Sequence, residues 1–310
     1  MFLEQGIKPE NKFWKYLLGS VFIISVSFIG QLPLIAAIEF RANLGGKISS
    51  TANGNYMKIF EPNITLFLAM ISFVFVIAGI YFVVKYKHNQ TFLSVTTSRP
   101  KVDWNRILFS FFLWSSISVL SFFIIYFISP ENFVLNFKLE PFLILVVIGT
   151  ILIPIQTSAE EYVFRGYLMQ GFANLAHNRW FPLVMTSVIF GSLHWGNPEV
   201  TKMGNIVMVY YMGTGLFLGI ITLMDEGMEL ALGFHAANNL VGALLVTSDW
   251  SAFQTHAIFK DLSEPSAGID VLLPVVVIYP ILLFFFSKKY GWTNWKEKLT
   301  GNISNVELNA

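Results

Sequence analysis

Long apolar stretches separated by short polar segments dominate the pattern of this chain. A bilayer core of about 30 Å takes about 20 apolar residues in a helix, and stretches of roughly that kind recur along the chain. They predict membrane-spanning helices near residues 16–38, 64–84, 107–128, 142–172, 181–195, 203–224, 228–247 and 269–287. The pattern therefore predicts an all-α polytopic membrane protein, a bundle of about eight transmembrane helices.

Composition agrees with a membrane protein and narrows its chemistry. Of the 310 residues, 55% are hydrophobic and only 13% are charged, whereas a soluble domain carries about 25% charged residues. The mean hydropathy is +0.61. The net charge is only +1, and the chain has no strongly basic stretch that could neutralise the phosphates of a nucleic acid. We therefore expect no nucleic-acid partner. The chain has no cysteine, which excludes disulfides, thiolate metal sites and a cysteine nucleophile.

The distribution of lysine and arginine predicts the orientation in the membrane. With eight spans, the N-terminal tail, the second, fourth and sixth loops and the C-terminal tail share one side. These five segments carry 14 of the 20 basic residues. The positive-inside rule then predicts a multi-pass protein with both termini in the cytoplasm.

Three charges interrupt the fourth span in the stretch SAEEYVFRG, residues 158–166. A charge at bilayer depth costs at least about 2.5–3.5 kcal/mol, so Glu160, Glu161 and Arg165 are expected to face protein or water. Glu161 and Arg165 are four residues apart and can pair on one helix face, whereas Glu160 is turned by about 100°. The helical pattern continues to about Ala176, which places all three charges inside the helix.

Two later spans carry further polar residues. His194 follows Phe190 by four residues near the end of the fifth span, and His235 and Asn239 lie four apart on one face of the seventh. Asn238 points about 100° away from that face, so it is not expected in the site. A lone membrane histidine is commonly structural. Two histidines, two glutamates, an arginine and an asparagine on three spans instead predict one shared site.

Taken together, the three motifs resemble those of a known family. EExxxR, FxxxH and HxxxN, in this order on spans four, five and seven, are similar to the motifs of the CAAX protease and bacteriocin-processing family. This intramembrane group, also called Abi, includes the endoprotease that trims prenylated CAAX proteins. The resemblance covers residues 142–247, so the chain divides into N-terminal helices (1–141), a catalytic core (142–247) and a last segment (248–310).

The resemblance implies an intramembrane endopeptidase acting on a membrane-associated substrate, either a prenylated protein or a bacteriocin-type peptide. It implies that Glu160 and His194 activate water, and that His235 and Asn239 donate hydrogen bonds to the oxyanion. Peptide hydrolysis needs both functions. The ion pair of the fourth span is expected to support the site by orienting the helix. Membrane lipid and a peptide or lipidated protein are the expected partners, and the oligomeric state stays open.

A metal-dependent version of the same reaction stays open. Glu160, His194 and His235 form a plausible zinc set with a free fourth position, although the sequence contains no HExxH motif. We favour a site without a cofactor, because Asn239 beside His235 suits an oxyanion pair better than a ligand shell.

Two other classes of protein account for some of these residues. A proton-coupled transporter also buries glutamate, arginine and histidine, but it predicts broken helices or internal repeats, which the sequence does not show. A non-catalytic immunity or sorting scaffold could keep the fold, but it would be expected to lose one of Glu160, His194 or His235. All three are present, and the sequence therefore favours a protease.

Overall fold

Helices make up most of the computed structural model, which describes residues 1–43, 59–266 and 268–303. In chain order they are α1 (Phe13–Asn43), α2 (Pro62–Phe82), α3 (Trp104–Ile128), α4 (Leu139–Glu161), α5 (Met169–Ala176), α6 (Trp180–Ser192), α7 (Pro198–Met203), α8 (Val207–Asp225), α9 (Glu229–Leu245), α10 (Ile269–Leu273), α11 (Tyr279–Tyr290) and α12 (Trp295–Thr300). Wider π-helical turns extend α2 over Val83–Lys87, join α4 to α5 over Tyr162–Leu168 and join α10 to α11 over Pro274–Ile278. Short 3-10 turns cover Leu3–Gly6, Phe92–Val95 and Pro130–Asn132. The predicted all-α membrane fold is confirmed.

Six helices of the described residues are long and apolar enough to cross a membrane. They are Phe13–Asn43, Pro62–Lys87, Trp104–Ile128, Leu139–Ala176, Val207–Asp225 and Val271–Tyr290. The predicted fifth and seventh spans are the shorter helices α6, with 13 residues, and α9, with 17 residues. The eight predicted spans therefore correspond to six long helices and two short ones. A helix needs about 20 apolar residues where it crosses lipid. Helix α9 is largely enclosed by protein, so this requirement does not set its length.

Helix α9 lies at the centre of the bundle, where it packs against α3, α4 and α8. Its contact with α3 depends on Gly233, because a Cβ atom there would lie 2.0 Å from the carbonyl oxygen of Ile107. The hydrophobic stretch of α8 is 61% buried, compared with 11% for that of α1. Helices α8 and α9 therefore form the interior, and α1 lies on the outside of the bundle.

Local signals in the sequence explain several helix ends. The Asp103 carboxylate caps α3 by accepting hydrogen bonds from the backbone N–H groups of Asn105 and Arg106, at 3.0 and 3.4 Å. His177, with φ of 51°, ends α5, and Glu226, with φ of 57°, ends α8. These two residues adopt the left-handed conformation that commonly stops a helix.

The two tails lie at the same end of the bundle, which we call the tail end. It is formed by residues 1–12, 88–103, 177–179, 226–228 and 291–303. Gln5 donates to the carbonyl oxygen of Thr97 at 3.0 Å, and the backbone N–H of Arg179 donates to the carbonyl oxygen of Gly301 at 3.1 Å. The two tails and the three loops that were predicted to share one side of the membrane therefore meet at one end of the structure.

An ionic network ties the tail end together. Arg99 contacts both Asp225 and Glu229 at 2.9 Å, and Arg106 contacts Asp225 at 2.9 Å. The two carboxylates are buried, and the indole N–H of Trp292 donates to Asp225 at 3.1 Å. Buried carboxylates need such partners, and these contacts hold the turn between α8 and α9 against the segment before α3.

The opposite end carries a small sheet, in the strand order β1 (Phe133–Leu135), β3 (Phe259–Asp261), β2 (Val246–Ser248). Strand β1 runs antiparallel to β3, with Phe133 opposite Asp261. Strand β2 continues directly from α9 and runs parallel to β3, with Val246 opposite Phe259. The sheet therefore anchors the last residues of α9 beside the loop between α3 and α4.

The long fourth helix reaches from the sheet end to the tail end. In its π-helical part, the Tyr167 hydroxyl oxygen lies 3.2 Å from the carbonyl oxygen of Tyr16. On α5, the fully buried Gln170 donates to the carbonyl oxygen of Ser94 at 2.9 Å and accepts from Gln90 at 3.1 Å. Polar contacts along this helix thus bind it to α1 and to the segment after α2.

A buried histidine outside the spans lies beside these contacts. His88 Nδ1 is 3.0 Å from the amide oxygen of Asn11, and Nε2 is 3.0 Å from the Tyr167 hydroxyl. An amide oxygen only accepts, so Nδ1 carries the proton and Nε2 accepts from the tyrosine. The neutral imidazole satisfies both contacts. Burial, and to a smaller extent the nearby lysines with Lys15 first, lower the pKa of His88 to about 4.

Lowering the pH from 6.5 to 4 is expected to destabilise the protein partly through His88. In the unfolded chain the pKa returns to about 6.5, so between these pH values the unfolded state binds the extra proton. The stabilisation is then complete above about pH 6.5 and is lost as the pH falls toward 4. Thermal unfolding in detergent, measured across this range, should show a shallower pH dependence for His88→Gln. Equal slopes in the two proteins would remove the role of His88.

Candidate active site

The predicted site starts at the point where α4 widens into its π-helical part. Arg165 Nη1 lies 2.9 Å from Glu161 Oε1, and both side chains are fully buried. Arg165 Nη2 also donates to the carbonyl oxygen of Gly215 at 3.1 Å, and the guanidinium lies 4.5 Å from the ring centroid of Phe190. The i,i+4 pair expected from the sequence is thus present, and it fastens α4 to α6 and α8.

His235 of α9 lies between the two glutamates. Its Nδ1 is 2.7 Å from Glu161 Oε1, and its Nε2 is 3.6 Å from Glu160 Oε2. An ionised carboxylate only accepts, so the proton on Nδ1 is donated to Glu161. The Glu161 contact therefore sets the orientation of the imidazole, and Nε2 is the nitrogen that faces Glu160.

Glu160 and Glu161 occupy different environments although they are adjacent. Glu161 is fully buried and ion-paired, whereas the Glu160 side chain keeps 20% of its surface exposed. Glu160 Oε1 accepts a hydrogen bond of 2.5 Å from the side-chain amide of Gln156, one turn earlier on α4. Glu160 is therefore the carboxylate that solvent or a substrate can reach, while Glu161 has a structural environment.

Asn239 lies one turn after His235 and also faces α4. Its Nδ2 donates to Gln156 Oε1 at 3.0 Å, and its Oδ1 accepts from Asn238 Nδ2 at 3.1 Å. An amide nitrogen carries two protons, so one N–H group of Asn239 remains for a ligand. The shared face of His235 and Asn239, expected from their spacing, is the face that meets α4.

His194 lies just beyond the end of α6, in the turn that follows Ser192. This corrects the prediction that it lies within the fifth span. Its Nδ1 is 2.8 Å from the carbonyl oxygen of Phe190, which can only accept. In the neutral ring, Nε2 is then an acceptor. The imidazole also stacks on the Tyr211 ring, with centroids 4.3 Å apart and planes inclined by 22°.

The structure connects the two histidines through one aromatic ring. The Phe190 ring centroid lies 4.8 Å from that of His194 and 5.9 Å from that of His235. Among the described residues, no hydrogen bond or ion pair joins His194 to Glu160. The imidazole nearest to Glu160 is that of His235, and the expected pairing of Glu160 with His194 stays a prediction.

Two residues of the site were not predicted from the sequence. Gln156 joins Glu160 to Asn239 and is 3% exposed. A signal existed, since Gln156 is a polar residue in an apolar span, four positions before Glu160 on the same helix face. Asn238 was not expected in the site because it points away from His235, but it reaches Asn239 sideways through its own amide.

The zinc set proposed from the sequence can be tested against these positions. His235 Nε2 and Glu160 Oε2 are close enough to share an ion. Within the described part of the chain, however, no three histidine, aspartate or glutamate side chains are grouped so that they could hold a metal ion. As placed, the residues do not fit a three-ligand zinc site, and we derive no chemical step through a metal.

The arrangement combines the groups that hydrolysis of an amide requires. It places a partly exposed carboxylate, an oriented imidazole and a side-chain amide with a free N–H around one region between α4 and α9. A carboxylate can take a proton from water, and N–H donors can stabilise a developing oxyanion. Fold and site together define a multi-pass integral membrane protein with a cluster of polar side chains inside its helical bundle.

A known family model matches the middle of the chain. Residues 138–241 match the family model described as Type II CAAX prenyl endopeptidase Rce1-like. The match includes all three motifs, and it confirms the resemblance to the CAAX proteases that these motifs indicated. It supports a CAAX-type intramembrane protease in general.

One curated relative extends the similarity beyond the matched core. A Bacillus subtilis (strain 168) protein, described as uncharacterized protein YyaK, is 29% identical over 248 residues. The alignment covers 80% of this chain and 82% of YyaK. No solved structure matches the chain. The similarity to YyaK therefore includes N-terminal or C-terminal helices as well as the core.

Proposed function

We propose that this protein is an intramembrane endopeptidase that hydrolyses a peptide bond of a membrane-associated substrate with a water molecule activated by Glu160. The observation that carries the proposal is the unequal pair of adjacent carboxylates. Glu161 is neutralised by Arg165 and holds His235, which leaves Glu160 partly exposed beside His235 Nε2. Two carboxylates in such different environments are typical of acid–base catalysis.

In the proposed reaction, Glu160 takes a proton from water while the water oxygen bonds to the carbonyl carbon of the substrate. The carbonyl becomes an oxyanion, which accepts a hydrogen bond from the free N–H of Asn239 and, when Nε2 also carries a proton, a second one from His235. The C–N bond then breaks, and the proton held by Glu160 passes to the leaving amine. Each step follows the general requirements of amide hydrolysis.

His194 has a separate place in the proposal. Its Nδ1 donates to the carbonyl oxygen of Phe190, so that Nε2 of the neutral ring presents a lone pair. A lone pair can accept a hydrogen bond from the attacking water or from the substrate amide. We assign His194 to binding the water together with Glu160.

The proposed substrate is a peptide or a lipidated protein that reaches the site from the membrane. The tail end carries the basic segments of the chain, and we propose that it faces the cytoplasm, with both termini on that side. Membrane lipid is the proposed surrounding partner, because the outward faces of the long helices are apolar, as at Phe127 and Ile128.

A defined peptide tests the proposed function. The purified protein, reconstituted in liposomes, is mixed with an internally quenched peptide that ends in a farnesylated CAAX motif, and with the same peptide without the farnesyl group. We expect cleavage of at least one of them, with the fragments identified by mass spectrometry. Cleavage of neither, together with no peptide that accumulates in cells carrying Glu160→Gln, would contradict an endopeptidase and favour a scaffold or a transporter.

Activity is expected to persist after exhaustive removal of metals, because the proposed water activation needs only Glu160 and His194. Elemental analysis of the active protein should then find well under one zinc per chain. His235→Asn keeps an N–H donor and should retain part of the activity, since losing one oxyanion donor costs about 2.7–4 kcal/mol. One zinc per chain in the native protein, absent from His235→Asn and restored with activity by added zinc, would establish the zinc-dependent alternative.

A further inference from the structure

A continuous chain of side-chain hydrogen bonds leads from α3 to Glu160. The indole Nε1 of Trp114 donates to Asn238 Oδ1 at 3.1 Å, and Asn238 Nδ2 donates to Asn239 Oδ1 at 3.1 Å. Asn239 Nδ2 donates to Gln156 Oε1 at 3.0 Å, and Gln156 Nε2 donates to Glu160 Oε1 at 2.5 Å. We call these five residues the amide chain. It connects α3, α9 and α4 across the interior of the bundle.

The two ends of the amide chain determine the direction of every bond in it. An indole N–H of Trp114 can only donate, and an ionised Glu160 carboxylate can only accept. Each amide between them must therefore turn its oxygen toward Trp114 and its nitrogen toward Glu160. Hydrogen bonds aligned in one direction also polarise one another, so the last donor, Gln156, is held in place by all the earlier ones.

The two carboxylate oxygens of Glu160 have different contacts, because only one of them is bonded to the amide chain. Oε1 is held by Gln156 at 2.5 Å, whereas Oε2 faces His235 Nε2 at 3.6 Å. Gln156 is 3% exposed and Trp114 is 7% exposed, so water competes little for these contacts. A glutamate side chain without such an anchor can rotate about its terminal bonds. The anchor therefore points Oε2 at the region where water and substrate meet.

We propose that Gln156 is a positioning residue, which sets the orientation of Glu160 and of Asn239 for hydrolysis, and that Trp114 gives the amide chain its direction. The proposal rests on the proposed endopeptidase function. It differs from that function because it concerns how the reactive groups are held. Gln156 contacts Glu160 on one side and Asn239 on the other, so one side chain couples the base to the oxyanion donor.

Kinetics give the first test, with Gln156→Met, which keeps the length and shape of the side chain without its amide. On the farnesylated peptide we expect kcat to fall about 10- to 100-fold, as for a misplaced catalytic group, while KM stays within twofold. Thr157→Val is the matched control. Thr157 is the next residue and is equally buried, but its hydroxyl donates to the carbonyl oxygen of Ile153, in its own helix. An unchanged kcat in Gln156→Met would overturn the proposal.

A spectroscopic test does not depend on activity. The chain has eight tryptophans, so a protein labelled with ¹⁵N at the indoles should give a simple spectrum, in which Trp114→Phe assigns the resonance of Trp114. We expect Gln156→Met to move that resonance or to speed its exchange with D₂O, because both asparagines lose their enforced orientation. Thr157→Val should leave it unchanged. Should Gln156→Met fail to fold, Asn239→Leu removes the same link from the α9 side.

The two tests separate the failure of this inference from the failure of the proposed function. If the native protein cleaves no peptide, the endopeptidase proposal fails, and the indole spectrum still decides whether the amide chain exists. If the native protein is active and the Trp114 resonance does not respond to Gln156→Met, the amide chain is wrong while the endopeptidase stands.

Discussion

Glu160→Gln is expected to lower the rate of peptide hydrolysis by at least about 100-fold, at the lower end of what a general base contributes. Glutamine keeps the shape of the side chain, but its amide cannot take the proton of the attacking water. Because the Glu160 side chain keeps 20% of its surface exposed, the new amide is partly hydrated, and we expect the variant to fold. Initial rates on the farnesylated peptide, with thermal unfolding of the same preparation, measure both effects.

Glu140→Gln provides the matched control for that variant. Glu140 lies in the first turn of the same helix and is exposed, so the identical substitution there should leave the rate unchanged. If Glu160→Gln retained activity within tenfold of the native protein while Glu140→Gln behaved as expected, another group would have to be the base. His194, whose Nε2 is free to accept a proton, would then be the next residue to examine.

Arg165→Ala is expected to destabilise the folded protein by about 3–5 kcal/mol, the cost of leaving one partner of a buried ion pair without the other. Glu161 is fully buried and would keep only His235 as a partner. The apparent melting temperature in detergent and the yield of monodisperse protein should both fall. A melting temperature equal to that of the native protein would remove the structural role of Arg165.

Two comparisons separate the ion pair from general damage to the core. Arg179 is 2% exposed, and thus buried like Arg165, but its partner Glu4 is 36% exposed. Arg179→Ala therefore leaves a carboxylate that water can reach, and it should lower the stability of the folded protein less than Arg165→Ala. A double variant, Glu161→Gln with Arg165→Met, removes both charges and should be more stable than Arg165→Ala. If all three variants melted together, loss of packing rather than of charge pairing would be responsible.

Much of the fold followed from the pattern of apolar stretches, because lipid imposes a length on every helix that faces it. The two predicted spans that are not among the six long ones, α6 and α9, are those to which this length requirement applies least. Helix α9 is enclosed by protein, so its apolar stretch reflects a core and not a bilayer. Its last predicted residues form β2 instead, where backbone groups pair with β3.

The site was predicted where contacts lie within one helix and missed where they cross between helices. The spacing of four residues identified the pair of Glu161 with Arg165 and the shared face of His235 with Asn239. It could not show that His235 rather than His194 would stand nearest to Glu160, because that depends on how α4, α6 and α9 pack. Gln156 was overlooked for the same reason, since half of its role is a contact with another helix.

The π-helical segment Tyr162–Leu168 has a consequence for how this stretch can change in length. A wide turn holds one residue more than an α-helical turn, so deleting a single residue there would restore the regular helix. The part beyond would then keep nearly its present rotation, because the extra residue is what the wide turns accommodate. The same deletion in the regular helix before this segment would instead rotate everything beyond by about 100°, and Gln170 would turn away from Ser94 and Gln90. The segment is therefore the place where the helix could lose one residue while the charged centre and the tail end keep their relative orientation.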